Sequence, residues 1–329
     1  MNSRTGVRLR AAGIAALCAL ALAACNDKSD DPKADADPTS AATSDATSAP
    51  SEASSSTTSA TTDDGSDGTA GESGVEVLDH GSGDQQVLAL HLTEGARATT
   101  SIEMTMTMSS KGLDLPTIPL TMTMSSEVLE VGDDRSTVRA TYDSVEVGDG
   151  VAPDLRASLE PEFAILKGIA ITFDYAPSGT LLDTRVALPD DAPPSAQQLV
   201  DQISNSLSGV GMTFPSEPVG VGASWRSEST VGSVAVNIDQ TTTYTLEEFD
   251  GENYRVSIEG SGEVQPGSTG AATVTAGSVT TTGEIEGSLD QVVPLHGTTR
   301  ASTDMVIEAS GQKVRTTTDI DMTITTTEN

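Results

Sequence analysis

Between Ile102 and Met108 the chain reads Ile-Glu-Met-Thr-Met-Thr-Met, so a two-residue period puts Ile102, Met104, Met106 and Met108 on one side and Glu103, Thr105 and Thr107 on the other. A helix scatters such a pattern around its axis. A half-buried strand sorts it, because successive Cβ atoms point to opposite faces. Leu120-Thr121-Met122-Thr123-Met124 repeats the device, and the intervening Lys111–Pro119, with Gly112, Pro116 and Pro119, predicts a loop that makes the two a hairpin. Similar alternation recurs over 138–147, 169–175, 234–246, 254–258, 305–307 and 320–324. Threonine dominates the outer positions, where a β-branched side chain suits a pleated surface. The segment 229–237 is ambiguous. The expected fold class is mainly β, with a minor helical part (α+β).

One interruption has a helical period. After Pro193-Pro194, the stretch 195–207 carries Leu199, Ile203 and Leu207 at i, i+4 and i+8 with Val200 beside them, and Gly209 follows. Proline at the start, glycine past the end and one apolar stripe predict an amphipathic helix over about 194–208. A second helical piece is expected within 154–167, interrupted by Pro161. The regions flanking the first helix look alike. Gly95-Ala96-Arg97-Ala98 and Gly222-Ala223-Ser224-Trp225 each lead into a strand, a turn and a Thr-rich strand. The acidic segments 128–134 and 245–251, each containing glycine, then read as hairpin turns. Two related β-meanders, at about 85–190 and 212–329 and joined by the helix, predict a large antiparallel sheet. About ten strands cannot stay flat and open, so a curved sheet or half-barrel is expected, with the helix over part of its concave face.

The charge balance narrows function. With 49 Asp and Glu against 17 Lys and Arg, the formal net charge is −32, which excludes the basic footprint that phosphate binding needs. No nucleic acid is expected as a partner. The three histidines, His80, His91 and His296, are widely spaced, and no G-x-S-x-G, H-E-x-x-H, P-loop or dinucleotide fingerprint occurs. Acidic groups such as Asp133-Asp134 and Glu247-Glu248 lack calcium-loop spacing and read as solvated turns. Neither catalysis nor a cofactor or metal is expected.

The first 25 residues are of another kind. Arg4, Arg8 and Arg10 precede an uncharged apolar run from Ala11 to Ala21, far shorter than the roughly 20 residues a spanning helix needs, so the segment reads as an export signal. Its end, Leu22-Ala23-Ala24-Cys25, resembles the bacterial lipobox. That resemblance implies a diacylglycerol on the Cys25 thiol, cleavage after Ala24, and a mature chain held to the extracytoplasmic face of the cell membrane. Residues 26–74 contain no aromatic residue and 11 acids against two lysines, and cannot bury enough apolar surface to offset chain entropy. The expected organisation is a signal peptide at 1–24, a disordered acidic tether at 25–74 and one β-rich domain at 75–329.

Two features bear on a site. Methionine thioethers are soft and adaptable, so Met104, Met106, Met108, Met122 and Met124 suit either a core face or the wall of an apolar pocket. They are also possible Cu(I) ligands, although no His or Cys accompanies them. The string Phe214-Pro215-Ser216-Glu217-Pro218-Val219-Gly220-Val221-Gly222-Ala223-Ser224-Trp225 contains the only tryptophan, which reads as a core anchor or as a surface for stacking a ligand. This string resembles an F/L-P-x-x-P-V-x-V-G-x-x-W signature in a bacterial lipoprotein family of unknown function, over roughly residues 87–327. The resemblance implies a lipid-anchored envelope protein and carries over no catalytic residue. By fold analogy, a curved sheet with a helical plug is similar to the clamshell carriers of lipids and lipoproteins. The expected function is a non-catalytic envelope lipoprotein binding an apolar or amphiphilic, lipid-like ligand, with Met104, Met106, Met122, Met124 and Trp225 as its wall. The alternative is a structural or protein-interaction module of the envelope.

Overall fold

A computed structural model describes residues 75–111, 113–189, 192, 212–233, 236–269, 272–309 and 311–329. The predicted export signal, Cys25, the tether and the predicted helix at 194–208 lie outside the described residues.

The strands are β1 (Val75–Asp79), β2 (Ser82–Gln86), β3 (Arg97–Ser110), β4 (Leu113–Asp114), β5 (Ile118–Val131), β6 (Ser136–Val147), β7 (Ala170–Tyr175) and β8 (Leu181–Ala187). After them come β9 (Val219–Val221), β10 (Ser224–Ser233), β11 (Val236–Phe249), β12 (Asn253–Val264), β13 (Gly267–Thr269), β14 (Ala272–Ser288), β15 (His296–Ala309) and β16 (Gln312–Glu328). Among the described residues one helix, α1 (Pro153–Ala164), lies between β6 and β7. It runs without a break through Pro161, which the sequence predicted as an interruption.

Fourteen strands form one antiparallel sheet in the order β1-β10-β11-β12-β14-β15-β16-β3-β5-β6-β7-β8, with β4 on β3 and β13 on β14, while β2 and β9 make a separate pair. The sheet is not closed: β1 and β8 are its edges. The predicted hairpin is β3–β5, in the register Ile102↔Met122 and Met104↔Leu120. The last strand, β16, returns to pair with β3, setting Met322 opposite Met104 and Ile324 opposite Ile102. The ambiguous segment 229–237 spans the β10–β11 hairpin.

Alternation decides which side chains turn inward. Ile102, Met104 and Met106 are buried and Glu103 is exposed. Threonine, however, is not confined to the outer face. Thr242, Thr281, Thr316 and Thr318 are buried on the inner one, where their methyl groups pack and their small size admits a tight curl.

Two main clusters fill the inside. In the first, α1 lays Leu159 and Phe163 against Val147, Val151, Ile169 and Ile171. Arg156 fixes the helix to the end of β6 by donating to the carbonyls of Val147 (2.7 Å) and Gly148 (2.6 Å). In the second, Trp225, Tyr244, Leu246 and Val256 pack with Leu88, Phe214 and Val219.

Two straps tie the edges of the sheet to each other. Residues 87–93 leave β2, and Leu90 N–H donates to Pro177 O (2.7 Å) in the β7–β8 turn while His91 N–H donates to Leu289 O (2.7 Å). Residues 212–218 approach β9 and β10, and Phe214 N–H donates to Ser178 O (2.8 Å) in the same turn. The straps do with side chains and a few amides what a closed barrel does with a complete ladder.

Near that turn sits a buried carboxylate. Asp174 is 3% exposed at its side chain and accepts a bidentate pair from Arg185 (3.0 and 3.1 Å) and a bond from Thr137 Oγ1 (2.7 Å). The hydrogen-bonded Arg185 guanidinium, aided by Thr137 and Arg135, holds its carboxyl below the ordinary value. A depressed folded value contributes stability that is fully present above the unfolded carboxyl's pKa of about 3.9 and is lost as pH falls through the folded one. Urea unfolding of the wild type and Asp174→Asn should therefore differ at pH 7 and converge as the pH is lowered past 4. A gap that stays constant down to pH 2 would rule the linkage out.

Candidate ligand-binding cavity

Opposite regions of the sheet face one space. β7 contributes Ile171, Phe173 and Tyr175, and β12 contributes Tyr254 and Ile258, although β14, β15, β16, β3, β5 and β6 lie between them in the sheet. Only a strongly curled sheet brings those side chains to a common cavity. Its volume is ≈ 190 Å³. The floor is made by Ile102, Ile285, Met322 and Ile324 from the middle strands, and Ala140 and Met124 complete one side. The straps supply Leu90, Met212 and Phe214, and the β14–β15 loop adds Val292, Val293 and Pro294.

Among the described residues no lining side chain is charged. Polar groups on the wall are few and mostly engaged: Thr100 Oγ1 bonds Thr326 Oγ1 (3.1 Å), Ser126 Oγ donates to Ala98 O (3.4 Å), and Gln291 Nε2 donates to Glu328 Oε1 (2.5 Å). Burial pushes the Tyr175 phenol above its ordinary pKa. Phe214 meets Tyr254 edge to face, with ring centroids 5.3 Å apart at 81°.

Of the five residues the sequence suggests for an apolar wall, Met124 lines the cavity. Met104, Met106 and Met122 share its face and are buried in the first cluster, away from the wall. Trp225 sits behind the wall. It is 0% exposed and stacks on Tyr244 (5.7 Å, 20°), and its Nε1–H donates to Thr213 O (3.1 Å). Thr213 lies between Met212 and Phe214, both of which face the cavity, so the indole acts on the wall by holding the strap. Sequence reasoning missed Tyr175, Phe173, Met322 and the β14–β15 loop. The alternation at 169–175 and 320–324 marks strands, but nothing in it shows that β7 and β16 border one space.

Among the described residues no group of three or more His, Cys, Asp or Glu is arranged to hold a metal ion, and no helix is long and apolar enough to cross a membrane. The acidic turn at Asp250 serves the backbone. Its carboxylate accepts the N–H groups of Asn253 (2.7 Å) and Glu252 (3.0 Å), and these bonds, that from Asn253 foremost, hold it below the usual carboxylate range.

A family model described as a family of unknown function (DUF6263) matches residues 198–299, a span that includes the string from Phe214 to Trp225. No curated protein matches the chain. A solved structure of lipid–protein interactions in lipovitellin is similar over 72% of this chain, with a TM-score of 0.40 and 12% identity. This chain spans 25% of the length of that one.

Proposed function

We propose that this protein is a lipid-anchored component of the cell envelope whose β domain, residues 75–329, holds an apolar or amphiphilic ligand without transforming it. The observation that carries the reading is the uncharged cavity of ≈ 190 Å³ walled by Ile, Met, Phe and Tyr side chains. Cavities of about 150 Å³ with such walls stay dry and take small aromatic molecules, and drug-sized sites start near 300 Å³. The size therefore suits one slender chain rather than a two-chain lipid. The two halves, about 85–190 and 212–329, are read as related copies that each contribute one side of the site. Among the described residues the wall offers no nucleophile paired with a base, and the reading is non-catalytic. The Leu22–Cys25 string supports anchoring, with residues 25–74 as the tether that sets the domain off the membrane.

One variant tests both parts. Cys25→Ser in the full chain should move the protein out of the membrane fraction on cell fractionation; retention there would remove the anchor from the reading. A native mass spectrum of the released protein should show extra mass that organic extraction removes. A clean mass that takes up nothing from added lipid would favour the structural or protein-interaction module instead.

A further inference from the structure

Among the polar groups that the described residues place on the cavity wall, one is both nearly buried and without a bond. Tyr175 lines the cavity and is 8% exposed, and its phenol hydroxyl has no hydrogen-bond partner among the described residues. Two buried side-chain oxygens of the described residues are both sealed and unpaired, Thr184 Oγ1 and Thr318 Oγ1, and the Tyr175 hydroxyl is not one of them. Its oxygen is thus not sealed in by protein, and Tyr175 borders the cavity. Tyrosine hydroxyls taken this far from water ordinarily find a partner. A missing partner at the wall of a site marks the place a ligand atom fills.

We propose that Tyr175 is the polar anchor of the cavity, donating its O–H to a neutral acceptor, an ester carbonyl or an alcohol oxygen, at the head of a single-chain amphiphile. This names the ligand class of the site proposed above and rests on that reading. The tail lies along β7 and the floor. Tyr175 is the last residue of β7 and Ile171 lies four residues back on the same face, about 13 Å at roughly 3.3 Å per residue, with Met322 and Ile324 alongside. The head sits under the straps, since the β7–β8 turn that follows Tyr175 is where Leu90 and Phe214 bond.

Charge excludes the obvious competitors. A carboxylate or phosphate head would be desolvated against a wall to which the described residues contribute no cationic side chain, and a buried ion without a counter-charge is strongly disfavoured. The net charge of −32 further repels anions from the whole chain. Desolvation keeps the phenol protonated through the physiological range, so it offers a donor and never a negative charge.

The test uses the full chain carrying Cys25→Ser, with and without Tyr175→Phe, in calorimetric titrations at pH 7.5. The probes are monodecanoylglycerol and decanoate, each below its critical micelle concentration, and toluene, which has no acceptor. The parent should bind the monoester at least tenfold more tightly than decanoate. Tyr175→Phe should lower monoester affinity about tenfold and leave toluene binding unchanged. The empty variant should melt no lower than the parent, because the hydroxyl it loses had no bond to lose. Unchanged monoester affinity in the variant, decanoate bound as tightly as the ester, loss of toluene binding, or a lower melting temperature each overturns the anchor while leaving an apolar site standing. Failure of all three probes to bind the parent removes the ligand-binding reading itself.

Discussion

Replacing Trp225 with alanine is expected to lower the free energy of unfolding by about 3–5 kcal/mol, the range for deleting a large, fully enclosed aromatic side chain. The indole has no exposed surface, stacks on Tyr244 and packs among Leu246, Val256 and Val219. Its removal leaves a void that a rigid sheet fills poorly. It also removes the bond that the Thr213 carbonyl accepts from Nε1 at 3.1 Å. Urea unfolding followed by far-ultraviolet circular dichroism gives the total. Trp225→Phe separates the contributions, since it keeps an aromatic ring and loses the donor, and a deficit of about 0.5–1.5 kcal/mol is expected for the lost hydrogen bond. Hydrogen exchange at the Phe214 amide, which bonds Ser178 O, should accelerate in both variants. A loss below about 1 kcal/mol for the alanine variant would show that neither the second cluster nor the strap depends on this residue.

Ala140→Phe should abolish ligand binding, with affinity falling more than a hundredfold, while thermal stability holds or rises. Ala140 is half-buried on β6, between Ser126 on β5 and Ile171 on β7, all three on the cavity wall. A phenyl ring placed there enters existing space, so it gains contacts its neighbours lack in the empty protein. Extractable mass in the native spectrum and toluene titration read the outcome. Ile258→Phe, reaching in from β12 on the facing side, should do the same. Binding at parental affinity in both variants would place the ligand elsewhere. This pair differs from the tyrosine exchange in kind, because it removes the room instead of one donor.

Much of the sheet is legible in the chain because its hairpin strands keep strict alternation. Ile102 to Met108 and Leu120 to Met124 name both their secondary structure and their buried side. β14 does not. Its inward positions include Val279, Thr281, Gly283, Ile285 and Gly287, a mixture without the apolar alternation that marks the other strands. The glycines are there for clearance: a Cβ on Gly287 would fall 2.3 Å from the Tyr254 ring, and one on Gly283 would fall 2.7 Å from Thr298 O. Glycine in a strand marks close approach, and what approaches cannot be known before the sheet is curled. The same limit governs the site. A period of two assigns a residue to a face, so the inward side of the methionines follows from the sequence, but position along the curl does not. Met124 reaches the cavity while Met104 and Met122 are covered by packing. Trp225 was conspicuous for its size, and its indole N–H, which seeks a partner when buried, was the better guide to its role as a fastening.

The unzipped seam between β1 and β8 has a kinetic meaning. A cylinder whose strands are hydrogen-bonded all the way round must break a whole ladder before a guest can enter sideways. Here the amides of Leu90 and Phe214 and the indole of Trp225 lace the gap. Each such bond is worth about 0.5–1.5 kcal/mol net, against the roughly 5–15 kcal/mol that holds a domain folded. Parting the laces is therefore a local event, and a ligand held as proposed would exchange through the breathing of that seam while the strands remain intact.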